Sequence, residues 1–399
     1  MSEVIYTFGN MIPRKLTTKL KKNLRSFPIT VITGPRQSGK TTLLKYLFPK
    51  RNYVSLEDPD MRVFAQEDPR RFLASFKSPA IFDEVQKTPD LFSYLQTEVD
   101  KTGKPGQYIL SGSQNFLLLE KISQSLAGRV GILNLLPFSI QELKTSKKMP
   151  DNIEKALFTG FYPRIWDKKI NPSDWYSNYI QTYLERDVQQ IKNIPNMNLF
   201  QRFLKLCAGR TGQILNLSSF ALDCGISHNT VSSWLSILEA SYIIFFLQPY
   251  YKNFNKRLIK SPKLYFYDTG LVNSLLGIEK SEQLNTHPLR GALFETMIVS
   301  EIAKYFFNKG WQKNIYFFRD KIGREIDCLL DVNNKIVAIE IKAGQTISEN
   351  FFSNLKYWQT IAKTDPNQSF IVYGGKSEQK RSLGNVISWK QTNKIFSPI

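Results

Sequence analysis

The sequence predicts an α/β protein in which a mostly parallel sheet precedes a helical connector and a second, C-terminal α/β domain. Three observations lead to this prediction. A buried-strand pattern runs directly into a glycine-rich loop at Gly34. Residues 152–212 carry apolar side chains at helical spacing and contain no long strand pattern. Near the C-terminal end, two strand-like runs flank the turn-forming pair Asn333-Asn334.

Composition narrows the class of protein. A chain of 399 residues with 42% hydrophobic and 13% aromatic residues can build the cores of two or three domains. Its 54 basic and 34 acidic residues give a formal charge of +20, which favours a polyanionic partner, most often nucleic acid. Three cysteines and two histidines stand in no metal-binding spacing, which argues against a zinc site or disulfide framework. With no signal peptide and no long apolar run, we expect a cytoplasmic protein without a membrane partner.

The first motif is a phosphate-binding loop. A strand predicted over Ile29–Thr33 leads into the pattern G-x-x-x-x-G-K-T, and a helix-forming run from Thr42 to Phe48 follows. In this order the glycines let backbone N–H groups surround phosphates, the lysine reaches the β and γ oxygens, and the threonine ligates Mg²⁺. ATP and Mg²⁺ are the expected cofactors. The candidate nucleotide-binding residues are Gly34, Pro35, Arg36, Gln37, Ser38, Gly39, Lys40, Thr41 and Thr42.

A second predicted strand, residues 79–84, ends in two acids. Asp83 is the candidate that holds Mg²⁺ together with Thr41, and Glu84 is the candidate that polarises the attacking water. The alternative interpretation is a strand that ends in an exposed acidic turn.

Two further residues are weaker candidates for the nucleotide site. A third predicted strand, Gln107 to Ser111, leads to Gly112-Ser113-Gln114, where a polar side chain such as Ser113 could sense the γ-phosphate or simply form a turn. Arg129 could act as an arginine finger on a neighbouring site or be a plain surface arginine.

The middle of the chain has the order of a helix-turn-helix. A short helix from Leu217, a turn containing Gly225 and a polar-faced second helix from His228 fit this motif, and residues 242–251 read as a wing strand. Basic residues mixed with an aromatic one would suit a phosphate backbone. The alternative is a module used for packing or for docking a protein. The basic and aromatic residues are Lys252, Phe254, Lys256, Arg257, Lys260 and Lys263.

The C-terminal hairpin places acids face to face. If Asn333-Asn334 forms the turn, Asp327 lies opposite Glu340 and Glu325 lies opposite Lys342, all on one face. Opposed carboxylates repel unless a cation lies between them, and a divalent cation with oxygen ligands is the natural candidate. The alternative is a solvated face with a Glu325–Lys342 ion pair. The other face is predicted to be core and carries Ile326, Cys328, Leu330, Val332, Val337, Ile339 and Ile341.

The elements around this hairpin are predicted from periodicity. An amphipathic helix over 293–306 carries Glu295 beside its apolar stripe. A strand over Ile315–Arg319 precedes the hairpin, and a helix over 348–362 and a strand over Phe370–Tyr373 follow it.

These motifs together resemble the AAA-type P-loop ATPases. More narrowly, they resemble the prokaryotic family that joins such an ATPase to a C-terminal restriction-endonuclease-like domain of the PD-(D/E)XK class. The resemblance implies an ATPase domain over 1–150, a helical lid and winged-helix-like connector over 151–280, and a restriction-endonuclease-like domain over 281–399. The segments that carry it are Ile12-Pro13-Arg14, Gly34–Thr42, Phe82–Gln86, Leu110–Ser113, Leu136–Ser139, Gly160–Arg164 and Tyr183–Asp187.

The resemblance also implies roles for the hairpin residues. The family motif is an acid on the first helix, an aspartate on the second strand and Glu-x-Lys on the third strand. Glu295, Asp327, Glu340 and Lys342 fit it residue by residue. Mg²⁺ or Mn²⁺ would lie between Asp327 and Glu340, and Lys342 would orient or activate the water that attacks phosphorus.

The leading hypothesis from the sequence is therefore an ATPase coupled to DNA binding and to metal-dependent cleavage. The alternatives are a nucleotide-switched regulatory or adaptor protein without nuclease activity, and a DNA-stimulated ATPase that does not cut. A homo-oligomer is compatible with each of them.

Overall fold

The structure is a computed structural model that describes residues 11–113, 125–184, 196–251 and 260–397. The chain divides into two compact units. The first consists of Met1–Phe138, Ala240–Tyr242 and Phe306–Trp311, and the second contains the remaining residues. None of the helices in the described ranges has the length and apolar character needed to cross a bilayer.

The first unit is built on a five-stranded sheet in which all strands run parallel. The strand order is β2-β3-β4-β1-β5, so β1 lies in the interior of the sheet and all five of its residues are buried. This burial on both faces explains why the strand before the glycine-rich loop carries no charged residue. The strands are β1 (Ile29–Thr33), β2 (Asn52–Ser55), β3 (Ala80–Asp83), β4 (Tyr108–Ser111) and β5 (Val130–Asn134).

Helices cover both faces of this sheet and enclose two apolar clusters. One cluster contains Phe72, Phe82 and Leu95, and the other contains Leu20 and Leu43. Asp58 and Asp68 accept backbone N–H bonds at the starts of the two helices that follow them, each with proline in the first turn. The helices are α1 (Thr17–Ser26), α2 (Lys40–Leu47), α3 (Pro59–Glu67), α4 (Pro69–Ser75) and α5 (Leu91–Asp100).

The second unit begins with helices, as the sequence predicts for residues 152–212 within the described ranges. A single π-helical turn, Ile180–Leu184, interrupts the series. The described helices of this unit are α6 (Ile140–Thr145), α7 (Ile153–Thr159), α8 (Pro163–Lys168), α9 (Pro172–Tyr179), α10 (Met197–Gly209), α11 (Leu217–Cys224), α12 (His228–Ala240), α13 (Thr269–Leu275), α14 (Arg290–Lys309) and α15 (Ser353–Ala362).

An eight-stranded mixed sheet completes the second unit, with the order β12-β13-β11-β10-β9-β8-β6-β7. The predicted order of helix, three strands, helix and strand is observed as α14, β8, β9, β10, α15 and β11. The strands are β6 (Ile244–Pro249), β7 (Lys263–Phe266), β8 (Ile315–Arg319), β9 (Glu325–Val332), β10 (Lys335–Lys342), β11 (Ser369–Tyr373), β12 (Gln379–Arg381) and β13 (Gly384–Ser388).

The strand predicted as a wing differs from that expectation. Strand β6 pairs antiparallel with β7 and parallel with β8, so both strands extend the C-terminal sheet. The aromatic and β-branched pattern predicts the strand correctly, but it does not specify which sheet the strand joins, because pairing partners are distant in sequence.

The hairpin of β9 and β10 has the predicted register. Val332 pairs with Lys335, and the pairing continues to Cys328 opposite Ile339. Asn333 and Asn334 have φ angles of 52° and 60°, which is the turn conformation that the register requires. The predicted core face is buried except for Val332, which is half-buried, and the opposite face is buried along Leu329, Ala338 and Glu340.

Candidate functional sites

The phosphate-binding loop joins the end of β1 to the start of α2. Gly34 has a φ of 146°, and a Cβ at this position would lie 2.1 Å from the carbonyl oxygen of Leu135, so only glycine fits. Gly39 has a φ of 92° and precedes the first helical residue, Lys40. The Lys40 Nζ donates to the carbonyl oxygens of Gly34 and Pro35, at 2.9 Å each. The lysine therefore lies within the curve of its own loop.

Several other candidates of this loop differ in exposure. Ser38 is fully buried, Arg36 and Gln37 are half-buried, and Thr42 is exposed on α2. A residue outside the loop fixes its shape, because the buried Arg14 donates from Nη1 to the Ser38 carbonyl at 2.8 Å. Ile12-Pro13-Arg14 belongs to the resemblance, but no role is predicted for it from sequence.

Asp83 collects hydroxyl donors at the end of β3. Its Oδ2 accepts from Thr41 Oγ1 at 2.6 Å and from the Tyr53 hydroxyl at 2.8 Å, and its Oδ1 accepts from Ser111 Oγ. Asp83 is 3% exposed. Burial, and then the Asp83 charge, raise the pKa of Tyr53, which keeps this phenol protonated as a donor. The structure thus brings the predicted metal-site pair of Thr41 and Asp83 into contact and adds two donors that the sequence does not indicate.

Glu84 follows with a left-handed backbone, at a φ of 57°. Its Oε2 accepts from Ser113 Oγ at 3.2 Å and from Gln86 Nε2. Gln86 Nε2 also lies 3.4 Å from Ser113 Oγ. Ser113, which follows β4, therefore contacts the candidate catalytic carboxylate and lies at the nucleotide site. Gln114 lies outside the described residues.

Arg129 has a partner in its own chain. Its Nε and Nη2 donate to the two carboxylate oxygens of Asp100, at 2.6 and 2.9 Å, and Nη1 donates to the Ala127 carbonyl. The bond from Arg129 lowers the pKa of Asp100. A guanidinium held in this bidentate pair fits the interpretation as a surface arginine better than that of an arginine finger.

Tyr242 reaches the strand that leads into the loop. Its hydroxyl makes a 2.6 Å hydrogen bond with Thr33 Oγ1 and accepts from Asn134 Nδ2 at 2.8 Å. It is 4% exposed and has a φ of 57°. Thr33 directly precedes Gly34, so a residue that follows α12 in the chain helps to fix the base of the phosphate-binding loop.

The second site is a carboxylate cluster in the C-terminal sheet. Carboxylate oxygens of Glu295 on α14 and of Glu325 and Asp327 on β9 lie within 4.8 Å of one another. Lys263 Nζ lies 3.0 Å from Glu295 and also pairs with Glu325. The side chain of Lys263 is only 4% exposed, so the prediction that it contacts a phosphate backbone from the surface is wrong. It is buried as the first residue of β7.

Burial and neighbouring charges together set the pKa values in this cluster. Burial alone would lower the pKa of Lys263, but Glu295, Glu325 and Asp327 together raise it. Burial raises the pKa of Glu295, and Lys263 opposes that shift. Tyr265 donates a hydrogen bond to Glu295 and, being buried beside it, also has a raised pKa. Lys263 therefore remains cationic and pairs with both Glu295 and Glu325.

Glu340 and Lys342 lie next to Asp327. Lys342 Nζ is 2.6 Å from Glu340 Oε2 and 3.8 Å from Asp327 Oδ2. Asp327 Oδ2 also accepts from the backbone N–H of Ile341 at 2.7 Å. Glu325 pairs with Arg319 at 3.2 Å as well as with Lys263, instead of forming the surface pair with Lys342.

Glu340 is the most strongly perturbed member of this group. It is 1% exposed, and its Oε2 lies against the ammonium of Lys342. Burial, and then repulsion by Asp327, raise its pKa to about 8. Two neighbouring carboxylates, one of them buried, are a donor set that suits Mg²⁺ or Mn²⁺. Lys263 pairs with both Glu295 and Glu325, and Arg319 also pairs with Glu325. Asp327 and Glu340 are therefore the residues that would hold the cation.

The predicted helix-turn-helix residues form the expected elements. Helix α11 ends at Gly225, which has a φ of 74°, and α12 follows after a short turn. Of the accompanying basic residues, Lys260 is exposed. Several predicted residues lie outside the described ranges, namely Glu185, Arg186, Asp187, Lys252, Phe254, Lys256 and Arg257.

Comparison with known proteins identifies three matched regions. Residues 26–144 match the model of the AAA domain family. Residues 150–282 and 290–392 match two domains of unknown function, DUF8612 and DUF4143. Two mycobacterial proteins described as uncharacterized, Mb2031c of Mycobacterium bovis and Rv2008c of Mycobacterium tuberculosis, are each 28% identical over 341 residues, covering 84% of this chain and 75% of theirs.

Solved structures show only distant similarity. The Walker-type ATPase of Pyrococcus abyssi aligns with a TM-score of 0.44 and 15% identity over 66% of this chain and 96% of its own. A variant of RuvB from Thermotoga maritima aligns with a TM-score of 0.31 and 18% identity over 58% of this chain and 88% of its own. Such scores carry no functional argument. The family match and the geometry of the loop together identify residues 26–144 as an AAA-type P-loop ATPase domain.

Proposed function

We propose that this protein binds and hydrolyses ATP at the site formed by the phosphate-binding loop and the ends of β3 and β4. The observation that carries the proposal is the 2.6 Å hydrogen bond from Thr41 to Asp83, with Glu84 next in the chain. The hydroxyl and carboxylate are the pair that holds Mg²⁺ in P-loop enzymes, and the bound ion neutralises charge on the phosphates. Lys40 would bind the β and γ oxygens, and Glu84 would accept the proton of the attacking water.

ATP hydrolysis is tested by phosphate release from purified protein in Mg²⁺. The proposal predicts turnover that is lost in Lys40→Ala, with the variant still folded by circular dichroism. Lys21→Ala, a matched change of an exposed lysine on α1, is expected to leave turnover within a few-fold of wild type. Equal turnover in wild type and Lys40→Ala would refute the assignment of this site.

For the C-terminal unit we propose metal-dependent cleavage of DNA phosphodiester bonds in a restriction-endonuclease-like domain. The order of α14, β8, β9, β10, α15 and β11 supports that fold. The site supports the chemistry, because the buried Glu340 lies beside Asp327, and Lys342 Nζ is 2.6 Å from Glu340 Oε2. In this proposal a water oxygen bonds to phosphorus, one P–O ester bond breaks, and Lys342 holds the attacking water. The cation supplies Lewis-acid stabilisation of the developing charge.

Two observations support DNA as the partner: the net positive charge of the chain and the helix-turn-helix order in the connector. A formal charge of +20 favours a polyanion, and α11 and α12 have the order of a DNA-binding helix-turn-helix. ATP binding would then shift the equilibrium between two arrangements of the chain on DNA. The free energy of that shift can be no larger than the difference in ATP binding free energy between the two arrangements.

The cation site can be tested without reference to cleavage. The protein is titrated with Mn²⁺ in the absence of ATP, and the free ion is measured by electron paramagnetic resonance. We expect a binding site whose Mn²⁺ affinity falls at least about tenfold in Asp327→Asn, as when a group that supports a metal site is lost. Lys40→Ala should leave that site unchanged. No Mn²⁺ bound at the C-terminal site would refute the metal-dependent nuclease.

A second function is favoured by one observation, the ammonium of Lys263 buried among Glu295 and Glu325. If the cluster needs no cation besides the Lys263 ammonium, it holds no metal ion. The sheet is then a structural element, and the chain is a nucleotide-switched regulatory protein. Mn²⁺ binding that requires Asp327 would exclude this alternative.

A further inference from the structure

The turn between β8 and β9 exposes an isoleucine three residues before Glu325, a member of the carboxylate cluster. Ile322 is 82% exposed, and Lys321, Gly323 and Arg324 around it are exposed as well. A single exposed apolar side chain is ordinary on a protein surface. Here, however, it lies at the tip of a turn between two cations, and the construction of the turn gives it a fixed position.

The turn is held by Asp320, which is 3% exposed. Asp320 Oδ1 accepts from the backbone N–H groups of Ile322 and Arg324, at 3.0 Å each, and Oδ2 accepts from the Tyr357 hydroxyl at 3.0 Å. The backbones of Asp320 and Arg324 are also bonded at 3.0 Å, and the Arg324 guanidinium lies 4.3 Å from the Tyr357 ring centroid. The only acid of the turn is thereby used internally, and the outward surface is apolar and positive.

The position of the turn links it to the cluster. Arg324 directly precedes Glu325, whose carboxylate lies within 4.8 Å of those of Glu295 and Asp327. Three residues of extended chain span at most about 10 Å, which is about three base steps at 3.4 Å each. A polynucleotide with a phosphate at the cluster would therefore pass within reach of Ile322.

Chemistry distinguishes the kind of nucleic acid. Proteins that hold single strands use exposed aromatic rings on which bases stack. Proteins that open base steps of a duplex insert aliphatic wedges flanked by arginine or lysine. Residues 321–324 offer an aliphatic tip and two cations, and none of these four residues is aromatic.

We propose that the turn of residues 320–324 is a duplex-DNA wedge, in which Ile322 inserts at a base step while Lys321 and Arg324 contact the flanking phosphates. This inference rests on the proposed function of the neighbouring site, since it names double-stranded DNA as the substrate of that site. The partner fits by charge, and the wedge would place the strand next to the cluster.

The test uses the full-length protein and a 20-base-pair duplex carrying 2-aminopurine at several positions, in Ca²⁺ so that binding is measured separately from cleavage. Binding is followed by anisotropy and unstacking by 2-aminopurine fluorescence. Ile322→Ser is expected to lose the fluorescence increase and to bind about tenfold more weakly. The reason is that the apolar contacts that offset the free-energy cost of opening a base step are lost. Lys321→Ala should keep the fluorescence increase but reduce the slope of log affinity against log salt by about 1.

Val63→Ser, a matched change of an exposed apolar residue in the first unit, is the control and should change neither signal. Duplex binding by wild type with no difference in Ile322→Ser would overturn the wedge and leave the proposed DNA-binding function intact. Failure of wild type to bind duplex in any salt would refute the DNA-binding function itself and the wedge with it. Light scattering measures self-association. If Ile322→Ser differs from wild type only in self-association, Ile322 contacts protein and not DNA, and the inference is overturned.

Discussion

Tyr53 donates a 2.8 Å hydrogen bond to the same oxygen of Asp83, Oδ2, that accepts from Thr41. Two strands and a helix thus meet at one carboxylate oxygen, while Ser111 contacts the other oxygen from β4. The position of the candidate Mg²⁺ carboxylate is therefore fixed by three hydroxyl groups. A carboxylate held in this way has few alternative rotamers, which favours a preorganised metal site.

The change Tyr53→Phe removes one of these donors and keeps the ring on which Lys45 Nζ packs at 4.0 Å. We expect the free energy of unfolding to fall by about 1.5–3 kcal/mol, as for a hydrogen bond to a charged group. The Mg²⁺ concentration for half-maximal ATP hydrolysis should rise. Urea denaturation and an Mg²⁺ titration of phosphate release measure both, with Tyr46→Phe, an exposed tyrosine of α2, as the control. An unchanged Mg²⁺ dependence would show that Tyr53 does not position Asp83.

Glu84→Gln separates ATP binding from hydrolysis. The amide can still contact Ser113 and Gln86 but cannot accept a proton from water, so we expect hydrolysis to fall by about 10²- to 10⁴-fold. Affinity for a fluorescent ATP analogue should stay within a few-fold of wild type. Single-turnover assays measure the first quantity, and Glu98→Gln on α5 serves as the control. Hydrolysis that survives in Glu84→Gln would assign the general base elsewhere.

Lys263→Met tests the internal cation of the carboxylate cluster. Methionine fills a similar volume but leaves Glu295 without its ammonium and Glu325 with Arg319 alone. We therefore expect the variant to lose about 3–5 kcal/mol of stability, as for one partner of a buried ion pair. Mg²⁺ or Mn²⁺ should restore part of this loss, because a divalent cation can replace the ammonium. Thermal unfolding with and without the cations measures both effects.

The control for this change is Lys260→Met, which alters an exposed lysine three residues away. It should unfold at the wild-type temperature under all conditions. A Lys263→Met protein as stable as wild type without added cation would show that the cluster does not need its lysine.

The stability of the second unit should depend on Glu301. This residue is 5% exposed, accepts a 2.8 Å hydrogen bond from the backbone of Ile140, and has a pKa raised to about 7 by burial. Because the folded pKa exceeds the unfolded value of about 4.3, the stabilising contribution is complete below about pH 4.3 and is lost as pH rises through 7. From pH 5 to pH 8 this loss is on the order of 2 kcal/mol.

Glu301→Gln should remove that pH dependence, since the amide oxygen can still accept the bond from Ile140 and does not ionise. Denaturant unfolding at pH 5, 6, 7 and 8 compares the two proteins. The variant is expected to be the more stable one at pH 8. Parallel pH profiles for wild type and variant would contradict the assignment.

Local patterns predicted the elements well. The bounds of β1 and β8 are those expected, and the Asn333-Asn334 turn sets the register from Val332–Lys335 to Cys328–Ile339. Both depend on neighbours in sequence, through strand periodicity and turn chemistry. The sequence also predicts that Thr41 lies next to Asp83, because the ends of parallel strands in an α/β sheet meet at one edge.

Contacts between distant residues were not predictable in this way. Tyr53 lies on β2, whose residues are mostly half-buried or exposed, and no periodic signal marks that strand. Tyr242 reaches Thr33 across 209 positions. Lys263 belongs to a basic stretch that suggests a surface, yet β7 buries it against Glu295 and Glu325. In each case a tertiary partner determines the role of the side chain, and one sequence does not name that partner.

Strand scission of supercoiled plasmid in Mg²⁺ or Mn²⁺, with and without ATP, distinguishes a nuclease from a regulatory protein. Wild type, Asp327→Ala and Lys40→Ala are compared. We expect wild type to nick the plasmid and Asp327→Ala to leave it intact, and Lys40→Ala to lose nicking as well if ATP controls the site. No scission by wild type under any of these conditions, with ATP still hydrolysed, would contradict the nuclease and leave a nucleotide-dependent regulatory protein.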